Sequence, residues 1–220
     1  MSKYTRTPKG RAEWAKIVKA DTKFDAAGIY SIDLYMKADD PEIQELCAKL
    51  DDLVEEAKND AIEENPKRKP LTAPAYEAMT DDNGNETGEI KFKFKLKAQV
   101  KTKDGKTYNQ RPVVVDAKGS PILKFDSDGD VINDGFKIGN GSIVKVAFEP
   151  IKYFVASSKT AGVSLRLRAV QIIKLVEFSG GGGDFFEEEE GYEIDDKKDS
   201  NAKNETGFKD ESADSEDGDY

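Results

Sequence analysis

The chain reads as a mainly β protein with one α-helix and an acidic C-terminal tail, and three observations predict it. Several short segments alternate apolar and polar residues with a period of two. One segment after position 40 carries an apolar stripe at helical spacing. A run of four glycines separates both from a stretch rich in Asp and Glu. The 220 residues suit one domain of ordinary size plus a tail. With 35% charged and 37% apolar residues there is material for a single core.

Residues 12–20 read as a first strand and Asp21 to Gly28 as a turn. Ile29 to Met36 is a second strand, with Tyr30, Ile32, Leu34 and Met36 on its inner face. Asp39-Asp40-Pro41 starts a helix, a capping Asp followed by Pro at the first helical position. Ile43, Leu46, Cys47, Leu50, Leu53, Val54 and Ala57 then form its apolar stripe, and Pro66 stops it. Asn65 to Gly88 reads as an irregular connection. It opens on the basic cluster Lys67-Arg68-Lys69 and closes on the turn-prone run Asp81 to Asn85.

Glu89 to Lys101 is the clearest strand. Phe92, Phe94, Leu96, Ala98 and Val100 alternate with Lys91, Lys93, Lys95, Lys97 and Lys101, so the rings face inward and the lysines outward. Asp104-Gly105 is a hairpin turn, and Thr107 to Asp116 returns with Val113-Val114-Val115 as a buried run. Pro112 marks an edge or bulge there. Lys118 to Gly141 is mostly loop. Ser142–Phe148 and Tyr153–Ala156 form an interrupted strand, and Ser157 to Gly162 turn the chain. Val163 to Phe178 is the last strand, with Val163, Leu165, Leu167 and Ala169 on one face and Arg166 and Arg168 on the other. Short antiparallel strands must close or cover their edges. A five-stranded Greek-key barrel of the OB type with one packed helix fits this content, and a two-sheet sandwich is the alternative. The barrel is expected over residues 1–178. Residues 179–220, hinged at Gly180 to Gly183, are expected to be disordered, because their apolar surface is too small to offset chain entropy.

Composition excludes much chemistry. The chain has no histidine, hence no His base, triad or His metal site, and its one cysteine, Cys47, sits in the helix stripe as expected core. The run Asp126-Ser127-Asp128-Gly129-Asp130 with Asn133-Asp134 has the look of a calcium loop. Val131 and Lys137 occupy the positions where such a loop needs Gly and a carboxylate, so a polar turn is expected and no cofactor. No phosphate-binding glycine motif is present, and carboxylate pairs fall in loops and tail, so no enzyme is expected. No apolar run could span a bilayer and the N-terminus has no signal-peptide pattern, so a cytosolic location is expected.

The net charge of −10 argues against a nucleic-acid partner until the chain is divided. Residues 179–220 hold 16 acidic residues and 4 lysines, a net of −12. Residues 1–178 hold 30 basic and 28 acidic residues, a net of +2. On the strand Glu89–Lys101, alternate lysines stand roughly 6.5–7 Å apart, close to the phosphate spacing of an extended single strand. Lysines are also a common solvated strand face and edge protection. Single-strand binding needs stacking platforms as well, for which Tyr108, Tyr153 and Phe154 are candidates. Tyr153 and Phe154 must point to opposite faces, so one ring can be exposed, although a core role for both is open. Tyr30 fits the core. Arg111, Lys152, Arg166 and Arg168 join the basic set. The tail ends Asp217-Gly218-Asp219-Tyr220, and an aromatic there suggests a docking element for basic, pocketed partners, or chance.

Several segments in this order carry a resemblance: Phe92-Lys93-Phe94-Lys95, then Val113-Val114-Val115-Asp116, then Pro150 with Lys152-Tyr153. They continue with Gly180 to Asp184 followed by an aromatic, Glu189-Glu190-Gly191-Tyr192, and the Asp-Gly-Asp-aromatic ending. Together they resemble the replication single-stranded DNA-binding proteins of short-tailed lytic phages. The resemblance implies an OB-fold that binds single strands without sequence preference and promotes annealing, in replication, recombination and repair. It also implies a homodimer in the cytoplasm of an infected bacterial host, with a tail that contacts the phage DNA polymerase and helicase-primase. It places Arg68 in a segment used in annealing, and Lys101, Lys103 and Lys106 in a DNA-contacting hairpin. Ile151 stands where the family has an aromatic, and Tyr220 where it usually has Phe. The competing readings are an acidic-tailed protein-interaction module or DNA mimic, and, more remotely, a nuclease.

Overall fold

A computed structural model describes residues 4–102, 104–127, 131–133 and 135–177. Within it lie eleven strands: β1 (Thr5–Arg6), β2 (Gly10–Asp21), β3 (Ile29–Lys37), β4 (Leu71–Ala73), β5 (Glu77–Thr80), β6 (Glu86–Lys97), β7 (Gln99–Lys101), β8 (Thr107–Asn109), β9 (Val113–Val115), β10 (Ile143–Val155) and β11 (Thr160–Lys174). One helix, α1 (Pro41–Glu64), follows β3.

Five strands close into the expected barrel. β10 pairs with β2, β2 with β3, β3 with β6 and β11 with β10, all antiparallel, while β6 and β11 run parallel. Closure between β2 and β10 rests on two register pairs, one of them Val144↔Gly10. Gly10 is required there: a Cβ would lie 2.6 Å from the Leu34 side chain inside the barrel. The inner faces bury Ile32, Leu34, Phe92, Phe94, Val144, Val146, Phe148 and Leu167, and the Phe94 and Phe148 rings meet with centroids 5.1 Å apart.

Asp40 caps α1, its Oδ1 accepting from the Glu42 N–H at 2.9 Å. The helix buries Ile43, Leu46, Cys47, Leu50, Val54, Ala57 and Ala61 against β10, β11 and β4, while Leu53 sits half-buried at the edge of the stripe. Burial pushes the Cys47 thiol above its ordinary pKa.

Five sequence expectations change. The connection 65–88 is not irregular throughout: β4 adds to the β11 edge, and β5 pairs with β6 as a hairpin whose turn is held by Asp81 Oδ1 accepting from Asn83 and Asn85 N–H. The strand expected from Glu89 to Lys101 breaks at Ala98. Its partner β3 begins at Ile29, opposite Lys97; after one more bond, from Ala98 N–H to the Gly28 carbonyl, the chain turns off as the β7–β8 hairpin. Val113 to Val115 is not a buried run. As β9 it pairs in parallel with β11 and bridges to Pro121 on its other side, burying Val114 and leaving Val113 exposed. β10 is not interrupted, because β11 accompanies it over its whole length and is the one strand beside Pro150, where a missing N–H breaks no ladder. Finally, β11 starts at Thr160 and carries a bulge at Arg168, since Ala147↔Ala169 is followed by Phe148↔Leu167. Burial therefore passes from Leu167 to Val170, and Ala169 is only half-buried.

Candidate nucleic-acid interface

The pleat of β6 divides its residues as the alternation requires. Phe92, Phe94 and Leu96 are buried, while Lys93, Lys95 and Lys97 are exposed on the outer face. Parallel pairing with β11 sets Arg166 directly beside Lys95. Like charges on adjacent strands oppose the fold unless an anion lies between them. Neither Lys95 nor Lys97 has a carboxylate within ion-pair distance among the described residues. Lys93 stands 3.7 Å from the largely buried Asp33.

These side chains line a groove of about 820 Å³ with Arg168, Tyr108 and Tyr153. Glu149, only 9% exposed, holds both arginines from below. Its Oε2 accepts from Arg168 Nε at 3.2 Å and from Arg168 Nη2, and lies 3.8 Å from Arg166 Nη1. One buried carboxylate thus orients two guanidiniums and offsets one of their two charges, leaving the wall basic. Tyr153 lies across β10–β11 from Gly162, where a Cβ would come within 2.6 Å of the phenol oxygen. A glycine seat under a half-buried ring fixes its position while leaving the groove side open. Val100 and Tyr108, opposite each other on the β7–β8 hairpin, form the far wall. Lys101 and Lys106 are exposed on that hairpin, and Lys103 lies outside the described residues.

Other expected site residues stand elsewhere. Tyr153 and Phe154 do point to opposite faces. Phe154 lies under Arg68, whose guanidinium carbon is 4.6 Å from the ring centroid, in a pocket of about 290 Å³ shared with Lys67, Lys69 and Lys159. Arg68 also donates to Glu64 Oε2 at 2.6 Å. Lys152 faces α1, 2.7 Å from Asp60 and 3.3 Å from Glu56; Asp60, then Glu56, hold its pKa above the ordinary lysine value. Lys91 sits at the other end of β6 on Glu77, 2.5 Å away, which raises its pKa. Arg111 lies outside the groove, its guanidinium 4.8 Å over the Phe125 ring and its Nη1 enclosed without a hydrogen-bond partner. Asp217, Asp219 and Tyr220 fall outside the described residues, as do Asp128 to Asp130 and Asp134 of the acidic loop. Among the described residues no group of three His, Cys, Asp or Glu side chains could hold a metal, and no helix is long and apolar enough to cross a membrane.

Sequence reasoning overlooked two aromatics. Trp14 is 67% exposed and Phe24 87%. Trp14 occupies a bulge of β2, with a backbone φ of 51° and its N–H donating to Asn140 Oδ1 at 2.9 Å. The bulge shows in the burial pattern: Ala12 and Ile17 are both buried but five positions apart, an odd separation that one face of an unbulged strand cannot supply.

Comparison with known proteins bears on the family and the fold. The model of the family described as the single-stranded DNA-binding protein of bacteriophage T7 matches residues 9–175. The single-stranded DNA-binding protein of Enterobacteria phage T3 is 34% identical over 171 residues, 74% of this chain and 68% of that protein. The crystal structure of the protein of that name encoded by bacteriophage T7 superposes with a TM-score of 0.62 at 30% identity, covering 87% of this chain and 98% of that one. The single-stranded DNA-binding protein of bacteriophage Enc34, solved in complex with single-stranded DNA, shares the fold at a TM-score of 0.50 and 15% identity, over 79% of this chain and 88% of that one. Since the family model spans the barrel from β2 to the end of β11, this chain belongs to the family of T7-type phage single-stranded DNA-binding proteins.

Proposed function

We propose that the protein binds single-stranded DNA in the groove between β6, β11 and the β7–β8 hairpin. The observation that carries this reading is the juxtaposition of Lys95 and Arg166, with Lys97 in the same groove, which Tyr108 and Tyr153 also line. Phosphates neutralise the like charges, and bases stack on the rings. Stacking is indifferent to base identity, so binding has no sequence preference. No group in the groove is arranged for bond cleavage, and the protein acts by binding rather than catalysis. A second basic surface at Lys67, Arg68, Lys69 and Lys159 supports strand annealing, by drawing a complementary strand to a protein already loaded on its partner.

The tail completes the proposal. At −12 it competes with DNA for the basic groove, made effective by its tether. DNA binding then releases Asp217, Asp219 and Tyr220 to dock the phage polymerase and helicase-primase, in replication and recombination by a homodimer. The groove is tested by anisotropy of a labelled oligonucleotide over a salt series. Four or five phosphate contacts correspond to a slope of log K against log salt of about −3. Equal retention of duplex DNA, or a flat salt response, refutes the reading. Deleting residues 184–220 is expected to raise single-strand affinity, and an unchanged affinity rejects tail competition. Removing Tyr220 alone and finding polymerase recruitment intact rejects the docking role.

A further inference from the structure

Beside the groove lies a second depression, about 480 Å³, that shares Lys93, Lys95 and Ile29 with it. Its rim carries Trp14 and Phe24, and both rings are largely exposed. Trp14 is the chain's single tryptophan. It is held in the left-handed backbone region, which a bulky side chain adopts only where the surroundings impose it. Asn140 imposes it here by accepting the Trp14 N–H. The fold thus maintains a strained backbone whose visible result is a large ring standing in water. Phe24, in the β2–β3 turn, is more exposed still, with the Lys23 ammonium 5.2 Å from its ring centroid.

We propose that Trp14 and Phe24 form a second stacking station for unpaired bases, continuing the strand's path along β6 from the station at Tyr108 and Tyr153. The inference rests on the reading of the groove as a single-strand site. The chemistry of the depression narrows what it takes. Asp21, Asp25 and Asp33 line it with the rings, Asp21 paired to Lys16 and Asp33 near Lys93, so the carboxylates offset the cations there and leave no surplus positive charge beside the rings to hold a phosphate. The station therefore accepts the base and not the backbone, while the phosphates follow Lys93 and Lys95, which both depressions share. Paired bases cannot present a face to these rings, so the station also sharpens the preference for single strands over duplex.

The single tryptophan makes the test direct. In the full chain, emission from Trp14 is followed while an end-labelled oligothymidine, long enough to span both depressions, is added. Anisotropy of the label reports binding independently. Saturation is expected to quench or shift the Trp14 emission. Trp14→Ala is expected to weaken binding roughly 5- to 150-fold, the range of one lost stacking contact, with the salt slope unchanged because no phosphate contact is removed. Trp14→Phe is expected to restore most of the affinity. Alanine at 14 meets the same backbone strain, and a matching thermal unfolding curve shows that the barrel is intact. Binding of the label with unaltered Trp14 emission overturns the proposal. So does an emission change with unaltered Trp14→Ala affinity, or a loss that the phenylalanine variant does not restore. No binding of the oligonucleotide at all overturns the reading of the groove instead.

Discussion

Lys95 and Lys152 lie on strands separated only by β11, yet their charges meet opposite surroundings. Lys95 stands beside another cation, Arg166, with no carboxylate in reach among the described residues. Lys152 points to α1, between Asp60 and Glu56. The neighbouring rings divide the same way: Tyr153 faces the groove on its glycine seat, and Phe154 faces the helix end beneath Arg68. Consecutive residues of β10 thus serve two surfaces, the groove beside Lys95 and Arg166 and the α1 side, where Lys152 and Arg68 each meet carboxylates of the helix.

The division can be broken one residue at a time. Tyr153→Ala is expected to remove about 1–3 kcal/mol of single-strand binding energy, measured by oligonucleotide anisotropy. Phe154→Ala should leave that affinity within about twofold, since less than 0.5 kcal/mol is at stake there. Equal losses from both rings erase the distinction between the faces. Glu149→Ala acts on the frame under the arginines. It leaves Arg168 part-buried without its acceptor and is expected to lower unfolding free energy by about 1.5–3 kcal/mol in urea. Unchanged stability would mean that Glu149 does not anchor the wall. Lys95→Ala should reduce the salt slope of binding by about 0.7, the share of one phosphate contact on a single strand, and an identical slope would place the phosphates elsewhere. The smallest effect belongs to Lys152→Ala. Its exposed, solvent-screened bridges contribute little to stability and nothing to DNA affinity. Since its carboxylates raise the Lys152 pKa, that contribution is present at neutral pH and fades only as pH climbs past the raised value. A DNA affinity that falls with Lys152→Ala would return this lysine to the binding face.

Where pattern is local, reading the chain succeeded. The alternation from Lys91 to Lys97 placed every ring and lysine of β6 on its proper face, and the capping Asp40 with Pro41 marked the start of α1. Where residues answer to a distant partner, it did not. Lys91, Lys93, Lys95 and Lys97 are indistinguishable along the chain. Glu77 and Asp33, brought across by β5 and β3, set the first two apart from the others. Lys152 reads along the chain like any other basic strand residue, because Glu56 and Asp60 of α1, nearly a hundred positions earlier, are its partners only in the fold. Trp14 was passed over because a bulge reverses the parity that pattern reading assumes.

The sequence by itself determined the fold's ingredients: a period of two that makes strands, one helical stripe, and a net charge of +2 in residues 1–178 against −12 beyond. These follow from single residues and near neighbours, because pleat, helix pitch and charge count need no tertiary partner. The tertiary structure alone decided which cations remain unpaired, which of two adjacent rings faces the groove, and where β6 leaves the barrel. Those outcomes depend on closure of β10 onto β2 and on β11 lying parallel to β6, contacts between segments far apart in the chain. Such contacts assign each charge its neighbours only after the barrel has formed.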